Sequence, residues 1–209
     1  MKALKLLKVA VISLLLFFIT TASATTFMLK GDNYIIDERV QLKITEIGNE
    51  LKTKTNVSVY VYIKNSYGLQ KEMPMKEKFQ LIKKKELALQ EGLQKPYVLL
   101  TMSMEDIHVN LLTSQKLQSI IDKDDVLNGY VIPLLASKDK NELYAKASAA
   151  VLNGYGHIAH VIAKHNKIKL ESNIPNQGKV TGTIWKVFMY TLVVGGILLY
   201  TYAVMRRRK

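Results

Sequence analysis

The sequence predicts an α/β fold: a three-layer α/β/α sandwich with a small mixed sheet, followed by one transmembrane helix. Three observations carry that prediction. Across the middle of the 209-residue chain, stretches with apolar residues at helical spacing alternate with short runs rich in Val, Tyr and Leu. One of those runs, "YVLLTMS" at Tyr97–Ser103, is apolar throughout and reads as a buried strand. The third observation is Val187 to Met205, 19 uncharged residues running straight into Arg206, Arg207, Arg208 and Lys209.

Each element follows in order. Ile36, Val40, Ile44, Ile47 and Leu51 recur at helical spacing, with Glu46, Glu50 and Lys52 opposite, so a first helix runs from about Asp37 to Lys54. "NVSVYVYI" (Asn56 to Ile63) reads as a strand. Met75 to Gln90 returns to helical spacing at Met75, Phe79, Ile82 and Leu89, and Gly92 and Pro96 end it before the buried strand. Met104, Glu105 and Asp106 form a short turn into a third strand, Ile107 to Thr113. So brief a connection allows only antiparallel pairing, whereas the helical crossover between the first two strands favours a parallel pair. The sheet is therefore expected to be mixed.

Two helices complete the domain. Asp124 or Asp125 is placed to cap "VLNGYVIPLLA", which Pro133 should kink or end. Asp139 or Asn141 begins a long helix with Leu143, Ala147, Ala150, Val151, Gly154, Ile158 and Ile162 on one stripe. Its small residues suit close approach to a neighbouring helix. Ile47 and Val151 are expected in the core, on opposite faces of the sheet or on neighbouring helices.

The ends set the topology. Lys2, Lys5 and Lys8 precede an apolar stretch from Val9 to Ile19, and Ala22-Ser23-Ala24 supplies an A-x-A site. That pattern is a secretory signal peptide cleaved after Ala24, with an uncleaved anchor as the alternative. At the other end, Trp185, Tyr190, Tyr200 and Tyr202 lie where aromatic belts lie, and Lys186 can snorkel to the headgroups. Residues 1–24 are thus a signal peptide and 25–165 an extracytoplasmic (periplasmic) domain. Residues 166–183, polar with Pro175, Gly178 and Gly182, read as a linker, 184–205 as the transmembrane helix and 206–209 as a cytoplasmic tail. The lipid bilayer is the partner of the C-terminal helix.

This placement changes the meaning of a net charge of +13. Eight of the 30 basic residues flank the apolar ends, leaving 22 against all 17 acidic ones across residues 25–181. So small an excess on an exported domain does not indicate a nucleic-acid partner. The chain has no cysteine, which rules out disulfides, thiolate metal sites and a lipoprotein anchor.

With the elements in this order, the chain resembles the TPM-domain family. "YIIDERVQLKITEIGNELKTKTNVSVYVYI" resembles the opening of a TPM domain, and "YVLLTMSMEDIHVNLLT" its central hairpin. "IIDKDDVLNGYVIPLL" is similar to the helix that follows, and "AAVLNGYGHIAHVIAK" to the closing helix. The likeness spans about Tyr34 to Lys164. It implies an exported or membrane-tethered domain, from a family associated with photosystem repair, receptor auxiliary functions and, in some members, phosphatase activity. Two departures bear on activity. Gln94-Lys95-Pro96 stands where an Asp-Asn-Gly-like turn is usual, and Ile107 where an Arg often follows the acidic pair, while Asp37 matches the acidic start of the first helix.

Candidate sites are few. Asp37, Glu105, Asp106, Asp122, Asp124 and Asp125 are the carboxylates near loops that could offer oxygen ligands to a divalent cation. Helix capping and turn chemistry account for the same residues. His157 and His160 share a helix face near His165, a pattern that fits a solvated face better than a metal site. Lys83 to Lys85 read as a solvated face, with headgroup or partner contact as the alternative. No phosphate loop, nucleophile elbow or H-E-x-x-H pattern occurs. The expected function is a non-catalytic binding, assembly or quality-control module for envelope proteins, without a cofactor and with at most weak divalent-cation binding. The alternative is a membrane-bound phosphatase of TPM type.

Overall fold

The computed structural model describes residues 26–70, 72–138 and 141–173, together with Tyr190 and Val194. The segments read as a signal peptide, as the linker beyond Asn173, as a transmembrane helix (apart from those two residues) and as a basic tail lie outside the described residues, as does Asp139. Among the described residues, no helix is long and apolar enough to cross a membrane.

Helix α1 spans Glu38–Thr55. Asp37 caps it, its carboxylate accepting from the Arg39 N–H at 2.9 Å, while its own N–H donates to Ser148 Oγ at 2.9 Å. Ile44, Ile47, Gly48 and Leu51 are buried, the i, i+3, i+4, i+7 stripe of an amphipathic helix. Asn56, at φ 59°, closes the helix in the left-handed conformation and returns its N–H to Lys52 O. Strand β1 therefore starts at Ser58 and runs to Lys64, two residues later than the Val-rich composition suggests.

Helix α2 (Met75–Gln90) leads to β2 (Tyr97–Ser103), whose seven residues are all buried, and β3 covers His108–Thr113. The order is β1-β2-β3, with β1 parallel to β2 (Ser58 opposite Tyr97) and β3 antiparallel to it (Val98 opposite Thr113). The outer edge of β1 is covered by the segment after residue 26, which sequence patterning does not reveal. Val61 N–H donates to Phe27 O and Leu29 N–H to Val61 O, each at 2.8 Å. That pairing occupies an edge that would otherwise offer unpaired backbone groups.

Residues 123–135 form a broken helix. Helix α3 (Lys123–Val126) passes through a π-turn (Leu127–Val131) into α4 (Ile132–Leu135). Its cap is Asp122, not Asp124 or Asp125. Asp122 is extended (φ −82°, ψ 110°), so its carboxylate reaches the N–H groups of Asp124 and Asp125, which already lie inside the helix. Pro133 does not end the helix. It falls in the first turn after the π-turn, a position where helices tolerate proline.

Helix α5 spans Leu143–His165 with Glu142 at the N-cap position, one residue after Asn141. Ala147, Ala150, Val151, Gly154, Ile158 and Ile162 are buried as the stripe predicts, but Leu143 is 53% exposed because the first turn projects past the core. Close packing fixes two glycines. A Cβ at Gly48 would lie 2.5 Å from Tyr155 Oη and 2.6 Å from the Phe27 ring, and one at Gly154 would lie 2.5 Å from Val131. Ile47 and Val151 are both fully buried, on neighbouring helices.

Strand alternation separates two sheet faces. Val59, Val61, Ile63, Val98, Leu100 and Met102 point toward α1 and α5. Tyr155 Oη donates to Val59 O at 3.1 Å, and Leu100 lies near Gly154. The other face presents Tyr97, Thr101, His108 and Asn110, and α2 lies over it through Gln90 and Glu86. Met75 and Phe79, expected on the buried stripe of α2, are instead 65% and 61% exposed, and only Ile82 and Glu86 of this helix are buried. The sheet face beneath is polar and calls for a carboxylate in place of a full apolar stripe.

The start of the region read as linker packs on the domain. Leu170 is buried, and Glu50 accepts from the N–H groups of Glu171 and Ser172 at 2.9 and 2.8 Å and from the Ser172 hydroxyl.

Candidate functional site

The carboxyl ends of parallel strands are where α/β sheets place their ligands, so the ends of β1 and β2 come first. There Asp32 accepts from Lys64 Nζ at 3.0 Å and from the Asn65 N–H at 2.9 Å. The Asn65 N–H bond is the larger cause that lowers its pKa, followed by Lys64. Asp106 accepts from the Tyr67 N–H at 2.6 Å and Ser103 Oγ at 2.5 Å, and Asn65 Nδ2 donates to Glu105 at 2.7 Å. Glu105 and Asp106 thus shape the loop that leaves β1. Lys85 closes the same loop from above by donating to Tyr67 O, its ammonium 5.6 Å from the Tyr67 ring.

Behind this loop lies a buried network that sequence reading missed. Glu86, 5% exposed, accepts from Thr101 Oγ1 (2.7 Å), His108 Nε2 (3.0 Å) and Asn110 Nδ2 (2.7 Å). A carboxylate only accepts, so His108 carries its proton on Nε2. Burial pushes the Glu86 pKa up, but the bonds from His108, Thr101 and Asn110 outweigh it, and the net shift is downward. A Glu–His pair suits acid–base chemistry. Here both carboxylate oxygens are occupied and α2 covers them, so the network holds a helix on a polar face. The available signal was the alternation of Thr101 and Ser103 on β2 with His108 and Asn110 on β3, which marks a polar sheet face.

The predicted carboxylates fall into separate networks. Asp37 pairs with Arg39, whose side-chain bond, helped by the Arg39 N–H, holds its pKa at about 2. Asp122 caps α3, and Asp125 accepts from His157 Nε2 at 2.9 Å. His157 is buried and stacks on Tyr130 at 3.6 Å, while His160 is exposed, so the two do not share a solvated face. Among the described residues, no group of three or more His, Asp or Glu is placed to hold a metal ion.

A different feature stands at the hairpin tip. A groove of about 690 Å³ runs between the β2–β3 turn, α4 and the start of α5, lined by Met104, Ile107, Val109, Ile132, Leu135 and Leu143 among others. Ile107 is 94% exposed at φ 48°, a left-handed conformation that β-branched residues rarely adopt. Ile132 and Leu143 are 41% and 53% exposed beside it.

Fold and site together define a small mixed α/β domain with a closed polar network and an open apolar groove. No family model matches the chain, and no curated protein matches it. Its backbone is similar to the solution NMR structure of the N-terminal domain of a protein from P. gingivalis, with a TM-score of 0.53 and 11% identity, over 72% of this chain and 90% of that one. At that identity the likeness shows the fold alone. The NMR structure of BA42 protein from the psychrophilic bacterium Bizionia argentinensis aligns at a TM-score of 0.40 and 11% identity, over 66% of this chain and 93% of that one, too low a score to carry an argument.

Proposed function

We propose that the chain is an exported TPM-type domain, held to the membrane by its C-terminal span, that binds another envelope protein without catalysing a reaction. The observation that carries this reading is the groove at the hairpin tip. An isoleucine held left-handed costs roughly 1–2 kcal/mol, and its side chain stands in water beside further apolar groups. A partner that buries Ile107 against Ile132 and Leu143 would offset both costs, and strain of this kind clusters at binding sites. The carboxylates support the same reading, since those of the β2–β3 turn already fold the neighbouring loop.

The test uses the full chain in native membranes, with a photo-crosslinking residue at Met104 beside Ile107. A discrete adduct is expected that Ile107→Asp and Leu143→Asp each abolish. Adducts unchanged by both variants would overturn the groove. Ile107→Asn should lose the adduct and yet raise stability by about 1 kcal/mol, because Asn tolerates the left-handed region. The purified full chain is expected to bind Ca²⁺ and Mg²⁺ weakly and to leave generic phosphate esters intact. Turnover abolished by Asp124→Ala with Asp125→Ala would replace this reading with the phosphatase.

A further inference from the structure

The outer edge of β3 has open backbone where it meets the groove. Hydrogen bonds along a strand alternate between its two neighbours. On β2, Pro96 O accepts from the Ser58 N–H and the Met104 N–H donates to Lys64 O, so even-numbered residues serve β1. Tyr97 O accepts from the Ser114 N–H at 2.9 Å, so odd-numbered residues serve β3. In the observed register the bonded pairs are therefore Leu99 with Leu112, Thr101 with Asn110 and Ser103 with His108. The N–H and C=O groups of Val109, Leu111 and Thr113 point away from β2. Leu111 agrees: its N–H donates to the Asn110 side-chain oxygen at 2.9 Å, and Lys123 Nζ donates to the same oxygen. Val109 has no such cover. Among the described residues its outward N–H and C=O have no hydrogen-bond partner, and Val109 lines the groove with Ile132 and Leu135.

From this we infer that the groove takes an extended segment of its protein partner, added to β3 as a fourth strand at Val109. The inference rests on the groove reading above and names the form of the occupant. A helix satisfies its own backbone and would leave the Val109 N–H and C=O without partners, whereas an extended chain supplies an acceptor and a donor. The domain covers its other edge in this manner, since Phe27 and Leu29 exchange bonds with Val61 on β1. Val109 shares a sheet face with Met102, its partner in register, on the side of α1 and α5. A residue paired with Val109 puts its side chain on that same face, over Ile132, Leu135 and Ala136, so an apolar one fits. Its two neighbours point to the other face, beside His108 and Asn110, and polar side chains fit there. The added strand is short, because Asn110 and Lys123 close the edge at Leu111. The ligand is thus a polar-apolar-polar run in extended form, with Ile107 and Leu143 beside it.

Two arms test strand addition. The first repeats the Met104 photo-crosslink in native membranes with Val109→Pro. Proline removes the outward donor but no bond to β2, and an edge strand is where sheets accept it. The adduct should fall about tenfold, the worth of one hydrogen bond near the top of its range. Exchange of the Leu99 and Thr101 amides should stay as slow as in the wild type, which shows that the sheet is intact. An undiminished adduct in the folded variant overturns strand addition and leaves the groove to a helical occupant. The second arm needs no variant. The full chain in detergent micelles is mixed with a capped heptapeptide of alternating threonine and valine. Exchange of the Val109 amide should slow, and a copy of the peptide N-methylated at its central valine should bind about tenfold more weakly. Val109 exchange that ignores the peptide, or equal binding of both copies, overturns strand addition. The two readings fail separately. A wild-type chain that gives no Met104 adduct sinks the groove as a site for an envelope protein, while the Val109 amide still decides whether the edge accepts a strand.

Discussion

The two faces of the sheet are held by opposite physics. Toward α1 and α5 the contact is dry and dense, built from fully buried Val59, Val61, Leu100, Ile47, Val151 and Ile158. Toward α2 one carboxylate, Glu86, collects three hydrogen bonds from two strands. Apolar packing is non-directional and tolerates no missing volume, whereas the carboxylate tolerates no missing partner. The comparison explains why α2 can keep Phe79 in water: its attachment does not depend on a wide apolar stripe.

The largest effect is expected on the dry face. Ile47→Ala should cost about 2–5 kcal/mol in denaturant unfolding of the full chain, since the Ile47 side chain is fully buried and its loss leaves a cavity. An unchanged midpoint would mean that the helical phase of α1 is wrong.

On the wet face, Glu86→Gln should cost about 1.5–3 kcal/mol, because the amide replaces one accepting oxygen with a donor facing groups that already donate. The loss should appear first as faster hydrogen exchange in α2 while α1 and α5 stay protected. Equal loosening of all three helices would erase the distinction between the faces. The sign with pH follows from the lowered Glu86 pKa. A depressed carboxylate contributes stability above its unfolded pKa and loses it as pH falls toward its folded pKa. Protection of α2 should therefore drop on acidification in the wild type, and the drop should be smaller in Glu86→Gln.

A smaller effect sharpens the picture at the outer side of the dry layer. Burial raises the Glu50 pKa, but Lys54, Ser172 and the N–H groups of Glu171 and Ser172 outweigh it and hold it at about 2, below the ordinary 4.5. The contact it makes with residues 171–172 should be intact above about pH 4.5 and lost as pH falls toward 2. Glu50→Gln should cost about 1 kcal/mol or less and make Ser172 and its neighbours exchange faster at neutral pH, leaving the sheet unchanged. Proteolysis near residue 173 that is unaltered by the variant would show that the contact does not hold the segment.

Periodicity made most of the fold legible. Burial of Ile44, Ile47, Leu51, Ala147, Ala150, Val151, Ile158 and Ile162 follows from spacing alone, because one side of a helix must leave water. The parallel and antiparallel pairings follow equally from connection length, a long crossover against a four-residue turn. Boundaries were less legible. Asp122 and Asp124 are the same residue type, and only the extended backbone at Asp122 makes it the cap. The exposure of Phe79 and the burial of His157 depend on what lies opposite each, and sequence spacing does not contain that.

The sites divide along the same line. The absence of cysteine and the uncharged run before Arg206 are properties of composition and order, readable before any folding. The Glu86 network joins residues 15 to 24 positions apart on one helix and two strands, and the His157–Asp125 contact spans 32 positions. Pairing at such separations is decided by strand register and helix packing, because a side chain finds its partner only once both backbones are placed. Ile107 belongs to tertiary structure too. Its residue type predicts a strand, and its place as the last of the four residues that turn the chain between β2 and β3 puts it left-handed and in water.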